Sequence, residues 1–262
     1  MREHHQKAIE KAKARLLSEH PDLLAIIVGG SIAKRIERED SDVDLMVVIS
    51  DEEYRLRLSE NTLCFLWGGD FCSYEGGYVE GHFLGRSFIE EASKRGSEPT
   101  RHSFTGAYPI YCVDSKIIEW IPLIPVYPED RRPERIASFL AQMQLNRWYF
   151  WSEGKRRGDR YLQMRAASDI VLFGCRLILA HNRILFACQK RLIEQTLSAP
   201  QKPEGLEEKI NLLLTTMTED AKEDFCKKIE SFTHWGETEC ISRFQIDAEM
   251  SWFNRVHAVS EW

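Results

Sequence analysis

At 262 residues, with 43% hydrophobic, 11% aromatic and 29% charged residues, the chain is long enough for one large or two ordinary domains with real cores and too apolar for a disordered one. No apolar run approaches the roughly 18 residues of a membrane span, and the opening MREHHQKAIEKAKARLL lacks the uninterrupted apolar segment of a secretory signal, so a cytoplasmic protein without a membrane partner is expected. A net charge of −6 argues against a large nucleic-acid footprint, which needs many Lys and Arg to neutralise phosphates, and favours a small substrate.

Residues 3–19 read as a polar helix with one apolar stripe, Ala8, Ile9, Ala12, Leu16 and Leu17, ended by Pro21-Asp22. The run LLAIIV at 23–28 reads as a strand, followed by Gly29-Gly30-Ser31, a helix at 32–38 and a second strand, DVDLMVVI, at 42–49. Without a Cβ, Gly29 and Gly30 permit positive φ and close approach to a ligand. Ser31 is placed as the N-cap of the helix, whose opening N–H groups and dipole favour phosphate. Side chains alternate across a strand, so Asp42 and Asp44 share one face while Val43 and Leu45 face the core. Carboxylates paired in this way repel unless a cation lies between them, and hard oxygen ligands suit Mg²⁺. Phosphate beside Mg²⁺ points to a nucleoside triphosphate. Taken singly, the glycine turn and the acidic pair are also what an ordinary βα turn and an acidic strand entrance look like. Neither GxGxxG nor Gly-Lys-Ser/Thr occurs, which excludes the Rossmann and P-loop readings.

Further along, 51–60 reads as a charged helix, 61–67 (NTLCFLW) as a strand, and Gly68-Gly69 and Gly76-Gly77 as hairpin turns. In the strand at 78–84, Glu80 and His82 share a face opposite Val79 and Phe83; a lone His on a half-exposed strand is more often surface than ligand. A helix at 87–95, a loop at 98–101 whose Arg101 is either exposed or a phosphate ligand, and strands at 108–113 and 117–121 complete this part. Pro122, Pro125, Pro128 and Pro133 then mark an extended linker and a boundary between 1–127 and 128–262. From 134 to 199 there is no proline, and helices are expected at 134–153, 159–180, 184–197, 205–217, 219–233 and 238–258, with Trp148, Tyr149, Phe150 and Trp151 in core and interdomain packing. The seven cysteines are odd in number and form no CxxC pair, which favours buried reduced thiols over disulfides or zinc.

Gly30-Ser31, ten residues, then Asp42-Val43-Asp44 inside an apolar strand resembles the signature of the polymerase-β-like nucleotidyltransferase superfamily. A catalytic head followed by helices resembles the layout of the aminoglycoside and lincosamide nucleotidyltransferases. Val79-Glu80 and Phe83 look like the strand that carries a third carboxylate in kanamycin nucleotidyltransferase. The resemblance implies an α+β fold, a mixed twisted sheet flanked by helices forming the catalytic domain over 1–127, followed by an all-α helical bundle for the substrate over 128–262. It implies a nucleotidyltransferase enzyme in which a hydroxyl of a small-molecule acceptor, aminoglycoside- or lincosamide-like, attacks the α-phosphorus of a nucleoside triphosphate such as ATP and pyrophosphate leaves. Asp42, Asp44 and Glu80 would be catalytic and would hold Mg²⁺, Glu80 as metal ligand or as base. Gly29, Gly30 and Ser31 would fix the phosphates, and Lys190 with Asn182 would reach the nucleotide, the alternative being a solvated Lys and a capping Asn. The layout is compatible with a homodimer. A protein or tRNA acceptor and a non-catalytic nucleotide-binding module remain as alternatives that share the same head.

Overall fold

The computed structural model describes residues 1–254, and the chain divides into two compact units, Met1–Val126 and Tyr127–Trp262. The first is a mixed sheet flanked by helices and the second is helical, the α+β head and all-α domain of the sequence reading. Among the described residues no helix is long and apolar enough to cross a membrane.

The sheet of the first unit has five strands, β1 (Ala25–Val28), β2 (Val43–Ile49), β3 (Cys64–Trp67), β4 (Val79–Gly85) and β5 (Tyr108–Cys112), in the order β3-β4-β2-β1-β5. All pairings are antiparallel except that of β2 with β4, which is parallel. Alternation sorts the strand residues onto two faces. On one, Ile26, Val28, Leu45, Val47, Val79 and Phe83 pack with the apolar stripe of helix α1 (Glu3–Glu19). On the other, Ala25, Ile27 and Val48 pack with Ile89, Ala92 and Ile117, which come from helices that follow β4 in the chain. Asp44, Glu80 and His82 belong by parity to this second face.

Helix α2 (Gly30–Ala33) is a single turn, shorter than the helix expected at 32–38, and its N-cap is Gly29 rather than Ser31. Its end is set by Arg35, which takes φ 58° and lets the Arg35 and Ile36 N–H groups close back on the carbonyls of Ile32 and Ser31, the Schellman arrangement that stops a helix. Helix α3 (Asp51–Glu60) is capped by Ser50, and β3 and β4 form one hairpin across the glycine-rich loop. After α4 (Arg86–Arg95), residues 98–101 are not a loop but the start of α5 (Glu98–Ser103), where Ser97 caps the helix and proline sits in the first turn, the one helical place where its missing N–H costs nothing.

The segment at 117–121 is likewise not a strand. Asp114 caps α6 (Ser115–Trp120), and its β-branched Ile117 is buried against Ile89 and Ile121 in the second core, so tertiary packing overrides strand propensity. The proline-rich segment is not fully extended: the 3₁₀ turns Ile121–Leu123 and Glu129–Arg131 run through it, and Ile121 and Ile124 are buried.

In the second unit α7 (Arg132–Leu145) continues through a π-helical turn, Asn146–Phe150, into α8 (Trp151–Arg157). The long α9 (Arg160–His181) is buried along most of its length and forms the centre of a separate core with Phe139, Trp151 and Phe225. Trp151 is buried as expected of core, whereas Trp148 and Tyr149 are 44% and 48% exposed, because four consecutive aromatics cannot all face one side of a helix. The helix expected at 184–197 is confined to α10 (Leu192–Leu197), preceded by the 3₁₀ turn Gln189–Arg191; Arg183 has positive φ and breaks the helical path. Then come α11 (Leu206–Thr216), α12 (Glu219–Glu230), and α13 (Cys240–Phe244), which passes through a second π-helical turn, Gln245–Glu249, before α14 (Ser251–Asn254). Residues 255–258 of the last expected helix lie outside the described residues. Among the described cysteines all are free thiols, but only Cys72, Cys175 and Cys226 are buried, and Cys64 is exposed.

Candidate active site

The site stands where β1 ends and β2 begins. The two strands pair antiparallel with Val28 opposite Leu45, and the Gly29 N–H donates to the Asp44 carbonyl at 2.9 Å, so the glycine bend lies directly against the acidic strand. Gly30 has φ +60°, and a Cβ there would fall 1.6 Å from Asp44 Oδ2. Only glycine fits between the bend and that carboxylate, on grounds of both conformation and space. Gly29, its N–H committed to the sheet, contributes room: a Cβ would meet Met46 Cε at 3.0 Å.

Parallel pairing of β2 with β4 sets Asp44 opposite Glu80, and Asp42, immediately before β2, completes the group. One carboxylate oxygen from each of Asp42, Asp44 and Glu80 lies within 4.8 Å of the other two, with all three residues half-buried. The electrostatic result falls on Asp44. Its carboxyl is pushed up to about 7, first by burial, then by the negative charges of Asp42 and Glu80 and a hydrogen bond with Glu80, while Lys34 acts in the opposite direction. Three converging oxygen donors with so little cationic compensation form the donor set that a hard divalent cation takes, and the residues present fit such an ion.

Several neighbours escape the sequence reading. The Tyr78 hydroxyl donates to Asp42 Oδ2 at 2.9 Å, and this bond, more than any other influence, pushes the phenol up to about 12. Tyr78 lies two residues before Glu80, on the same side of an extended chain, which is a signal the alternation rule offers. Tyr74 donates to the Ser41 carbonyl at 2.8 Å and so braces the backbone just ahead of Asp42. Lys34, one turn past the glycines, brings a positive charge toward Asp44 and lies 3.3 Å from His102 Nδ1.

The remaining expected residues fare differently. The Ser31 hydroxyl oxygen is buried and finds no partner among the described residues. His82 lies 3.1 Å from the Sγ of Cys64 on the neighbouring strand. Arg101 is not exposed: it is 5% exposed and donates to the carbonyls of Lys94, Gly96, Ile124 and Val126. Asn182 is consumed structurally, its amide bonded to Ile178 and on both sides to the backbone of Gln201. Lys190 is exposed, in the 3₁₀ turn Gln189–Arg191 of the second unit.

Residues 9–101 match the family described as Nucleotidyltransferase domain, a stretch that runs from α1 into α5 and contains every residue of the acidic group. No curated protein matches the sequence. Among solved structures, the chain is similar to a nucleotidyltransferase-like protein from Exiguobacterium sibiricum 255-15, with a TM-score of 0.51 and 14% identity over 86% of this chain and 74% of that one, a likeness of fold. Over residues 9–101, the part that carries the acidic group, the chain is thus similar to a nucleotidyltransferase domain.

Proposed function

We propose that the protein moves a nucleoside monophosphate from a nucleoside triphosphate, with ATP the first candidate, to a hydroxyl of a small-molecule acceptor, and that pyrophosphate leaves. The observation that carries this reading is the convergence of Asp42, Asp44 and Glu80 against Gly30 within a nucleotidyltransferase domain. Asp42, Asp44 and Glu80 would hold Mg²⁺, which would supply Lewis-acid stabilisation of charge on the phosphoryl oxygens. Tyr78 fixes the rotamer of Asp42 through its hydroxyl, and Gly30 lets a phosphate approach the backbone where any side chain would stand. The free N–H groups that open α2 at Gly30 and Ser31 bind phosphate oxygens, since the first N–H groups of a helix have no carbonyl of their own. Glu80 would complete the site on the attacking side, as metal ligand or as base for the acceptor hydroxyl, which loses its proton as its oxygen bonds the α-phosphorus and the bond from that phosphorus to pyrophosphate breaks. In this scheme catalysis is placement and charge neutralisation rather than covalent intermediate formation. The acidic net charge of −6 supports a small acceptor, with aminoglycoside- and lincosamide-like compounds the first classes.

The test is a screen of α-labelled nucleoside triphosphates against pools of small hydroxylated acceptors, separated by chromatography, with and without Mg²⁺. Label is expected on a small product, together with Mg²⁺-dependent pyrophosphate. Label found only on a protein or RNA band would overturn the acceptor class, and no transfer to any acceptor would overturn the activity.

A further inference from the structure

The second unit contains a cavity of about 370 Å³, within the size range of small-ligand pockets, that no part of the nucleotidyl-transfer reading uses. Its walls come from the two π-helical turns and from α7, α9, α13 and α14. Asn146 and Phe150 belong to the first turn and Asp247 and Ala248 to the second, so both widened turns open onto the same space. A π-helical turn gives up regular helix bonding and is found mostly where a side chain must be re-aimed for a purpose; two on one cavity are hard to attribute to packing alone.

The lining is polar in a way a structural void is not. Gln142 is 4% exposed, yet its Nε2 has no hydrogen-bond partner among the described residues, and a buried donor left unmade costs stability that an apolar side chain would not. Asp169 uses one oxygen on Arg165 at 2.7 Å, and burial raises its carboxyl above the usual range in spite of that arginine. Asp247, 2% exposed, spends both oxygens on Arg243. Against these polar groups stand Phe150 and Phe244, their ring centroids 5.7 Å apart and tilted by 48°, with Phe173 beside them.

We infer that this cavity binds an uncharged nucleobase or nucleoside, a flat ring seated on the phenylalanines with its polar edge turned to Gln142 and Asp169. The edge of a base places a ring-nitrogen or carbonyl acceptor beside an amino donor. Gln142 Nε2 supplies the donor for the first and the carboxylate of Asp169 the acceptor for the second, the kind of pairing by which amide and acid side chains read bases, and aromatic side chains stack on any base. A phosphorylated nucleotide is disfavoured, because Arg165, the cation among the described lining residues, is already held by Asp169, so a phosphate would lose its water without gaining an unpaired positive partner. The inference stands independently of the catalytic reading.

The experiment is thermal melting and calorimetric titration of the full chain with adenosine, cytidine, guanosine and uridine, and with AMP, in the presence of a chelator so that no divalent cation occupies the acidic site. At least one nucleoside is expected to raise the melting temperature and titrate to saturation, and AMP to bind at least about ten-fold more weakly. The gain should persist in Asp44→Asn, which separates this site from the catalytic one. Gln142→Leu keeps the volume and removes the unpaired donor; it should melt no lower than wild type without ligand while binding falls about ten-fold or more. Ala248→Trp fills the cavity and should abolish the gain. Absence of a shift with all four nucleosides, or a shift unchanged in Gln142→Leu or lost in Asp44→Asn, overturns the inference.

Discussion

Gly30 is the residue at which backbone conformation and chemistry coincide. With φ +60° and 1.6 Å between a hypothetical Cβ and Asp44 Oδ2, Gly30→Ala must displace either the bend or the carboxylate. Since a misplacement of about 1 Å at a reacting centre can cost about a hundred-fold in rate, nucleotidyl transfer should fall by that order while the folded state survives. Gly29→Ala, which meets only the flexible end of Met46, should be milder, and a comparison of kcat for the two variants checks the distinction. Asp44 makes a second prediction. Its folded-state carboxyl is raised from 3.8 to about 7, so the folded chain binds that proton more tightly than the unfolded one. Its favourable contribution is complete below 3.8 and is lost as pH rises through about 7. In chelator, Asp44→Asn should therefore gain melting temperature relative to wild type as pH rises from about 4 to 8, and saturating Mg²⁺ should shrink the difference; a constant difference across that range would contradict it. Asp42, Asp44 and Glu80 were legible because alternation places carboxylates two apart on one face. Lys34 and Tyr74 were not, since each arrives through a turn whose course the sequence does not fix.

At the scale of elements, the acidic group depends on the parallel alignment of β2 with β4, which brings Glu80 to Asp44 across the sheet. The sequence reading found both strands and the face each carboxylate occupies, but pairing partners depend on tertiary packing. Short elements were misread for a local reason. At 32–38, Ile32, Ala33 and Ile36 stand at helical spacing, but Arg35 adopts the left-handed conformation that ends α2 and leaves Ile36 exposed. Arg35→Gly, which removes the Cβ penalty at that position at some entropic cost, should stabilise the fold by about 0.5 kcal/mol, measurable by denaturant unfolding. Arg101 is the opposite case: read from its loop-like surroundings it is ordinary, yet its guanidinium joins α5 to the carbonyls of four residues. Arg101→Met should lose roughly 2–4 kcal/mol of stability by leaving buried carbonyls unpaired.

On the scale of the whole molecule, each unit has its own core, the sheet's two faces in one and the packing around α9 in the other. The helical unit adds a charge network in which Arg147 pairs with both Glu223 and Glu230. The Arg147 guanidinium holds the Glu223 carboxyl down to about 2 from 4.5. That contribution is present above 4.5 and lost as pH falls toward 2, so the stability deficit of Glu223→Gln should be full at neutral pH and should disappear in acid. The helical character of this unit was legible from the absence of proline between 134 and 199 and from its apolar spacing, whereas no spacing rule encodes the two π-helical turns. The central claim is that the three carboxylates beside Gly30 hold a divalent cation together with a nucleoside triphosphate. Calorimetric titration of ATP into wild type and into Asp44→Asn, each with and without Mg²⁺, tests it most directly. The account predicts Mg²⁺-dependent saturable binding to wild type and its loss in an Asp44→Asn protein that melts no lower; equal Mg²⁺-dependent binding by the two proteins would contradict it.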